Sequence, residues 1–449
     1  MIFSTSLPRF KSFLGETSCK ATDVGCCLLF LSAFLLPAAR RSVASAARSV
    51  LEDARNAGWL LRWLGWSSAP QALLAAAQYQ LQVAAATAPN RLHVLVLDST
   101  QHGQQGHKTE NTFSRGNTRP RAKQSTRRQQ PVHRRSCHCF VFALLLTPQG
   151  LRIPYWLPFY TRAYGASLGR PHASQASLAA DLVEQIPVPE GSRVVVVGDT
   201  AFEAKQLRRA CARRGWSWVV PLNPERRLAG PAPRPQVRAL YGHLNTSDFH
   251  RVSFRLDQGE RAALARLSLR RSQSRTNQRT YWVHHRIATV HNVGTVALLF
   301  STKNQPTPGG VPVQKVLISN AVQATAEEIL GWYALRWQIE LFFKELKSEL
   351  GMCQYKLGPF RRVTGWVNLS VLAFCYLEWY RWQRQQQASG KDQQWWQHAR
   401  TAGLKERVRQ QVQRADLQGL LRLATSDAGQ QRFTTLVSQL CEDPLDEAA

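Results

Sequence analysis

Apolar runs with strand-like composition alternate with helical stretches through the middle of the chain. Each run holds five to eight residues, is rich in Val, Leu, Phe or Trp, and is bounded by polar residues, Gly or Pro. Such runs are typical of strands buried in a sheet. Their order is strand, hairpin, helix, strand, helix, strand, and it predicts an α/β fold. The predicted strands are His93–Leu97, Cys139–Leu146, Leu151–Leu157, Arg193–Gly198 and Trp216–Pro221, and the predicted helices are Ser174–Gln185 and Glu203–Arg214.

A later stretch, Trp332–Gly351, has helical periodicity. It holds no Pro and no internal Gly, and a capping box at Thr325–Glu328 places a helix start before it. At about 100° per residue, one side is apolar and the other carries a stripe of polar groups. The alternative for such a stripe is a solvated face with salt-bridging charges. The apolar side is Leu335, Ile339, Phe342, Phe343, Leu346 and Leu350, and the stripe is Tyr333, Arg336, Glu340, Lys344 and Lys347.

Two of the predicted strands are followed by an aspartate. Asp98 ends the run HVLVL and Asp199 ends the run RVVVVG. Each could simply cap the turn that follows it. The order of elements also resembles the ribonuclease H-like fold, in which acids at the ends of neighbouring central strands face each other. We therefore expect Asp98 and Asp199 to lie close together.

A carboxylate on the late helix would complete a set of three. Oxygen ligands suit Mg²⁺, which keeps positions open for water and phosphate. Two such ions can activate a nucleophile and stabilise a leaving oxygen. The sequence therefore predicts that Asp98, Asp199 and Glu340 are catalytic and bind two Mg²⁺ ions, for which Mn²⁺ can substitute. The cations on the same helix face would then meet phosphates.

The charge balance identifies the class of partner. The chain has 58 Lys and Arg against 29 Asp and Glu, a net charge of +29. An excess of this size indicates a polyanion, above all nucleic acid. Residues 111–135 hold many cations and no acid, so this loop is predicted to contact the DNA backbone, with a merely solubilising loop as the alternative. The DNA-binding candidates in the loop are Arg115, Arg119, Arg121 and Lys123.

Cysteine usage and hydropathy bear on the compartment. Nine Cys show no disulfide framework, which favours a reducing, cytoplasmic setting, and DNA as the partner places the protein at the nucleoid. The apolar run Cys26–Ala39, of about 14 residues, is too short to span a bilayer. An export signal is the alternative for this run. No membrane association is expected.

Composition shifts divide the chain into five predicted segments. The N-terminal segment is helical and is either a DNA-binding module or a plain scaffold. A ribonuclease H-like core is predicted in two parts, separated by a β-rich insertion, and a second helical region closes the chain. The predicted boundaries are 1–90 for the N-terminal helices, 91–222 for the first part of the core, 223–292 for the insertion, 293–357 for the second part with the catalytic helix, and 358–449 for the C-terminal helices.

The late helix carries a spaced signature. Tyr, two residues, Arg, three residues, Glu, six residues, Lys is matched by Tyr333, Arg336, Glu340 and Lys347. With Asp98 in VLVLDST and Asp199 in VVGDTAF, the chain resembles the DDE transposases of bacterial insertion sequences over about residues 90–358. Some members have Arg-Glu-Ala-Asp after the second acid, whereas this chain has Thr-Ala-Phe-Glu.

The resemblance implies an activity. It implies metal-dependent cleavage of double-stranded DNA at element ends, transfer of the 3′-OH into target DNA, and a homodimer that pairs two ends. It also implies that Tyr333, Arg336 and Lys347 contact DNA. Lys344 lies outside the signature but on the same stripe, so we expect it to be a weaker DNA contact. Trp282 is a candidate for stacking on a flipped base, and core packing is its alternative role. A ribonuclease H-like nuclease without strand transfer and a non-catalytic DNA-binding descendant are the alternative functions.

Overall fold

A mixed ten-stranded sheet organises the molecule. The computed structural model describes residues 10, 12–14, 19–35, 54–85, 91–104, 109–115, 135–241, 244–255, 278–306, 315–408 and 410. The strands are β1 (Leu92–Gln104), β2 (Phe113–Arg115), β3 (Arg135–Leu146), β4 (Arg152–Pro158), β5 (Arg193–Val197), β6 (Ser217–Pro221), β7 (His250–Arg255), β8 (Gln278–Val290), β9 (Gly294–Thr302) and β10 (Lys315–Ser319).

Helices cover the sheet and surround one long central helix. They are α1 (Ala21–Leu35), α2 (Ala54–Trp66), α3 (Ala69–Ala84), α4 (Arg162–Ser167), α5 (Gln175–Gln185), α6 (Lys205–Arg213), α7 (Val237–Tyr241), α8 (Ala326–Ala334), α9 (Trp337–Lys344), α10 (Phe360–Gln387) and α11 (Gly390–His398). Short 3₁₀ turns lie at Thr200–Phe202 and Thr246–Asp248, and a π turn lies at Glu345–Glu349.

Five strands form the core of the sheet in the order β4–β3–β1–β5–β6. β4, β3 and β1 are antiparallel, whereas β1, β5 and β6 run parallel. Residues 94–97 of β1 and 140–145 of β3 are buried throughout, because layers of helices lie on both faces of these strands. The predicted α/β class and ribonuclease H-like core are confirmed.

The predicted β-rich insertion continues the same sheet. β10 pairs antiparallel with β6, and β9, β8 and β7 follow outward from it. Within it, β7 and β8 pair antiparallel, with His250 opposite Val283. The chain therefore returns from this extension through β10, directly before α8 and α9.

The N-terminal helices pack around α10. Trp366 of α10 contacts the rings of Phe30 and Phe34 on α1. α2 and α3 also pack on α10. The described part of the apolar run, residues 26–35, therefore packs in the hydrophobic core. No helix in the described part of the chain is long and apolar enough to cross a membrane.

The prediction of one continuous helix over Trp332–Gly351 is wrong. α8 ends at Ala334, and the amides of Leu335 and Arg336 donate to carbonyls only three residues back, at 3.2 and 3.1 Å. α9 then begins at Trp337 and passes into the π turn, where the Leu350 amide donates five residues back to Glu345 at 3.1 Å. The spacing of apolar residues in the sequence does not distinguish hydrogen bonds over three, four or five residues. The apolar side of the segment faces inward in each of these parts.

Candidate active site

Asp98 lies inside a strand rather than at its end. The predicted end at Leu97 is wrong because β3 pairs with β1 as far as Gln104, opposite Ser136. The parallel partner β5, however, pairs with β1 only as far as Val96, opposite Val197. At Asp98, β1 is therefore still paired with β3 on one side but no longer with β5 on the other.

Asp199 follows β5 directly and turns the chain. Its Oδ1 accepts a hydrogen bond from the Ala201 amide at 2.9 Å and caps the 3₁₀ turn Thr200–Phe202. The register of Val96 with Val197 places both acids two residues beyond the last parallel pair. Because parallel strands end at the same edge of a sheet, Asp98 and Asp199 lie at one edge, as predicted.

Aromatic packing brings the late helix to this edge. Phe142 of β3 is the antiparallel partner of Asp98, and such partners point to the same face of a sheet. The Phe142 ring lies 5.6 Å from the ring of Phe342 and 5.4 Å from that of Phe343, both on α9. α9, which carries Glu340, therefore packs on the face from which Asp98 projects.

Arg336 links two of the three acids. Its Nη2 donates to Glu340 Oε1, and its Nη1 lies 3.8 Å from Asp98 Oδ2. The carboxylates of Asp98 and Glu340 are 18% and 32% exposed, so this cluster is open to solvent on one side. Arg336 thus serves as the counter-charge between α9 and β1.

The electrostatics of Asp98 show how near the three acids are to one another. The pKa of Asp98 is raised to about 6, chiefly by burial. The negative charges of Asp199 and Glu340 contribute to this rise, whereas the Ser99 amide, which donates to Asp98 at 2.7 Å, and Arg336 act against it. The edge of the sheet therefore concentrates negative charge that a cation would stabilise.

The donor set fits a hard divalent cation. All three candidate ligands offer carboxylate oxygens, which Mg²⁺ and Mn²⁺ prefer. Among the described residues, no three His, Cys, Asp or Glu side chains are arranged to hold a metal ion. The guanidinium of Arg336 lies against both Asp98 and Glu340 and offsets their negative charge. A metal ion bound between these two acids would therefore require the guanidinium to move.

Tyr333 has a basic partner that the sequence did not reveal. Lys315, the first residue of β10, donates from Nζ to the Tyr333 hydroxyl at 3.0 Å and lies 4.7 Å from the centre of its ring. Lys315 is exposed. Nothing in its local sequence sets it apart from other surface lysines. Only the pairing of β10 with the core sheet places it beside the signature Tyr.

The two other cations of the stripe differ in their surroundings. Lys347 lies in the π turn, with Nζ 5.8 Å from the Phe343 ring. Burial, His138 and Lys347 together lower the pKa of His102 to about 4, which places Lys347 near the far end of β1. Lys344 is exposed at the end of α9.

Most of the predicted basic loop lies outside the described residues, including Arg119, Arg121 and Lys123. Arg115 ends the short strand β2, opposite Arg135 of β3. The segment before β2 is fixed to the core, because the buried His138 donates from Nε2 to the Glu110 carbonyl at 2.8 Å and accepts from the Tyr355 hydroxyl at 2.8 Å. The described ends of this segment, Arg115 and Arg135, therefore belong to the sheet, in which β3 lies between β2 and β1.

Trp282 lies in the middle of β8, between Arg251 of β7 and Thr302 of β9. Its side chain is partly buried and packs against the hydrophobic core. This position agrees with the packing role that we considered as the alternative for Trp282. A stacking role on DNA stays a prediction.

Comparison with known families gives the identity. The family model described as the transposase DDE domain matches residues 92–377. The chain belongs to this family. Transposases of this family act on DNA and depend on divalent metal. No curated protein matches the chain significantly.

The bounds of the matched DDE domain agree with the elements of the structure. It begins at the first residue of β1 and ends within α10, so it includes Asp98, Asp199 and Glu340 together with the strands β7–β9 between the second and third acids. The helices α1–α3 precede it. In this DDE transposase Asp98 lies on β1, Asp199 lies just after the neighbouring strand β5, and Glu340 lies on the helix that packs against the sheet.

Proposed function

We propose that the protein is an active transposase that cleaves DNA at the ends of an insertion sequence and joins the 3′-OH to target DNA. The observation that carries this proposal is the meeting of Asp98, Asp199 and Glu340 at one edge of a ribonuclease H-like sheet, within a transposase DDE domain. Arg336 offsets part of the repulsion between Asp98 and Glu340. Such a site suits phosphoryl transfer better than binding alone.

Asp98, Asp199 and Glu340 would hold two Mg²⁺ ions, or Mn²⁺ in their place. Bound there, the metal would activate the attacking oxygen and stabilise the oxygen that leaves the phosphorus. Cleavage by water gives a 3′-OH and a 5′-phosphate, and the 3′-OH then attacks a target phosphodiester. No covalent protein intermediate is required.

The polar stripe and its neighbours would grip phosphates beside the scissile bond. Arg336 now contacts Glu340, and in the complex it would turn toward a phosphate as metal neutralises the acids. Tyr333 and Lys347 would contact the same strand, with Lys344 at the outer rim. Cations near phosphates dominate affinity and position the duplex without reading its sequence. The loop cations Arg115, Arg119, Arg121 and Lys123 would follow the backbone farther away.

Pairing of two element ends requires two active sites, so we propose that the protein works as a homodimer on DNA at the nucleoid. Segments 1–90 and 358–449 would frame a core formed by 91–222 and 293–357, with 223–292 as the β-rich insertion. Transposition by this dimer would leave short direct repeats in the target DNA.

The test uses duplex oligonucleotides that carry the element end, with Mg²⁺ or Mn²⁺. The wild-type chain should release a 3′-OH end and join it to a target plasmid. Asp98→Ala, Asp199→Ala and Glu340→Ala should each lower cleavage by at least about a thousandfold while DNA binding persists. Lys391→Ala, an exposed change on α11 outside the family match, is the matched control.

The outcomes separate the candidate functions. Cleavage without joining would identify a nuclease, and binding without cleavage at any metal concentration would identify a non-catalytic descendant. Full cleavage by any of the three acid variants would contradict its assignment as a ligand.

A further inference from the structure

A buried carboxylate lies five residues beyond the proposed third ligand. Glu345 opens the π turn after α9 and is only 7% exposed. An acid at this position would normally turn toward solvent, since a buried charge without a partner is costly. π turns are rare and occur often at functional sites. The burial of Glu345 therefore requires a specific partner.

That partner is Arg152, the first residue of β4. Its Nη1 donates to Glu345 Oε2 at 2.9 Å. Its Nε and Nη2 donate to Glu378 Oε1 of α10 at 3.1 and 2.5 Å, and its backbone amide donates to Glu378 Oε2 at 3.3 Å. One guanidinium thus joins the π turn, the sheet and the central helix.

The cluster is neutral as a whole. Arg381 donates to Glu378 at 3.2 Å and to the Gly150 carbonyl at 2.7 Å, so two arginines balance two glutamates. Although burial favours the protonated acid, Arg152 and Arg381 lower the pKa of Glu378 to about 2. Glu378 therefore stays ionised inside the protein.

Aromatic and charged contacts together hold α9 and the turn that follows it. Phe342 and Phe343 pack α9 against Phe142 beside Asp98, and aromatic pairs are favourable in both stacked and edge-to-face arrangements. A guanidinium–carboxylate contact is directional, because the N–H groups of the fork are fixed in one plane. The Arg152–Glu345 contact lies a little more than one helical turn beyond Glu340. It therefore fixes the side of the helix end that faces the sheet.

We propose that Arg152 and Glu345 form a positioning pair, which sets the rotation of α9 and so aims Glu340 at Asp98. This inference rests on the proposed function, and it assigns a role to two residues outside the signature. Neither residue touches the reacting atoms. Buried ion pairs can often be replaced by apolar residues without loss of stability, so the charges here serve geometry.

The first experiment compares Glu345→Gln with Arg381→Met. The Arg381 change is a matched control, because it removes a buried charge from the same cluster without touching Glu345. Glu345→Gln should lower the rate constant of end cleavage by about tenfold or more, while the Kd for DNA changes less than about twofold. Arg381→Met should keep the wild-type rate constant even where it lowers thermal stability.

A second readout does not depend on catalysis. In metal-free protein, hydrogen exchange of residues 337–350 should be faster in Glu345→Gln than in the wild type, with α10 unchanged as the internal reference. If Glu345→Gln unfolds the protein, the double variant Arg152→Met with Glu345→Leu replaces this ion pair by apolar side chains and leaves Glu378 paired with Arg381. This double variant should fold, exchange faster over 337–350 and cleave slowly.

The proposal fails if folded Glu345→Gln or the folded double variant cleaves at the wild-type rate, or if Arg381→Met slows cleavage equally. It fails as well if exchange over 337–350 is unchanged. Failure of the proposed function is distinguishable, because then the wild-type chain itself does not cleave element ends, while the exchange measurement still tests the pair.

Discussion

At the scale of single residues, charge placement explains the candidate site. Asp98 lies in a strand whose neighbour β5 has ended, so its carboxylate faces Asp199 and Glu340 with limited access to water. Arg336 lies against two of these acids. Its guanidinium offsets the repulsion between Asp98 and Glu340 in the free protein. Under the proposed function, metal binding would make the same arginine available to a phosphate.

The raised pKa of Asp98 has a consequence for stability. A folded-state pKa of about 6 exceeds the ordinary value of 3.8, so the folded protein binds the proton more tightly than the unfolded chain. This contribution to stability is complete below pH 3.8 and is lost as the pH rises through about 6.

Asp98→Asn should therefore flatten the pH profile of the unfolding free energy between pH 4 and 6, by on the order of 2 kcal/mol. Denaturant titrations of metal-free protein at several pH values measure this difference. Asp181→Asn, an exposed change on α5, is the control and should leave the profile as it is. Identical profiles for Asp98→Asn and the wild type would show that Asp98 is not desolvated.

At the scale of elements, close helix packing fixes the scaffold behind the site. α10 is buried over most of its length and packs against α2 where Gly365 meets Leu64. A Cβ at Gly365 would lie 2.7 Å from the Leu64 carbonyl oxygen, closer than such atoms approach. The helices can accommodate a side chain there only by moving apart.

Gly365→Ala should therefore destabilise the protein by about 2 kcal/mol or more, because the contact is with backbone rather than with a flexible side chain. Gly331→Ala in α8 is the matched control, since nothing lies within 4 Å of an added Cβ there. That control should be neutral or more stable by up to about 1 kcal/mol. Thermal unfolding of both variants measures the contrast, and equal midpoints would argue against close packing of α2 on α10.

At the scale of the whole molecule, charge and topology act together. A net charge of +29 provides a general attraction for DNA. The sheet, by contrast, decides where the duplex would meet the acids, because β10 returns the chain to the core directly before α8 and brings Lys315 to Tyr333. Cations beside the acids and cations elsewhere on the surface should therefore affect the affinity for DNA differently when they are substituted.

Substitution of Arg336, Lys347 or Lys315 by Gln should each reduce the slope of log affinity against log salt by about 0.9, the value for one phosphate contact. Lys391→Gln removes the same charge on α11 and should leave the slope unchanged. Binding titrations of end-containing duplex across a range of salt concentrations provide the measurement. A slope unaffected by all three substitutions would place the duplex elsewhere on the protein.

The sequence by itself determined the α/β class, the ribonuclease H-like order of elements and the family, because buried strands, capping residues and a spaced signature are local patterns. It also predicted that Asp98 and Asp199 share an edge, since parallel strands end together. It could not show that β1 continues past Asp98, because pairing with β3 depends on distant residues.

Only the tertiary structure decided the contacts between segments far apart in the chain. The break at Leu335, the π turn at Glu345 and the pairing of Arg152 with Glu345 depend on hydrogen bonds and buried charges. Periodicity is blind to these features, because a buried Glu and a solvated Glu look alike in sequence. The physical reason is desolvation: a charge is stable inside a protein only where the fold supplies its partner.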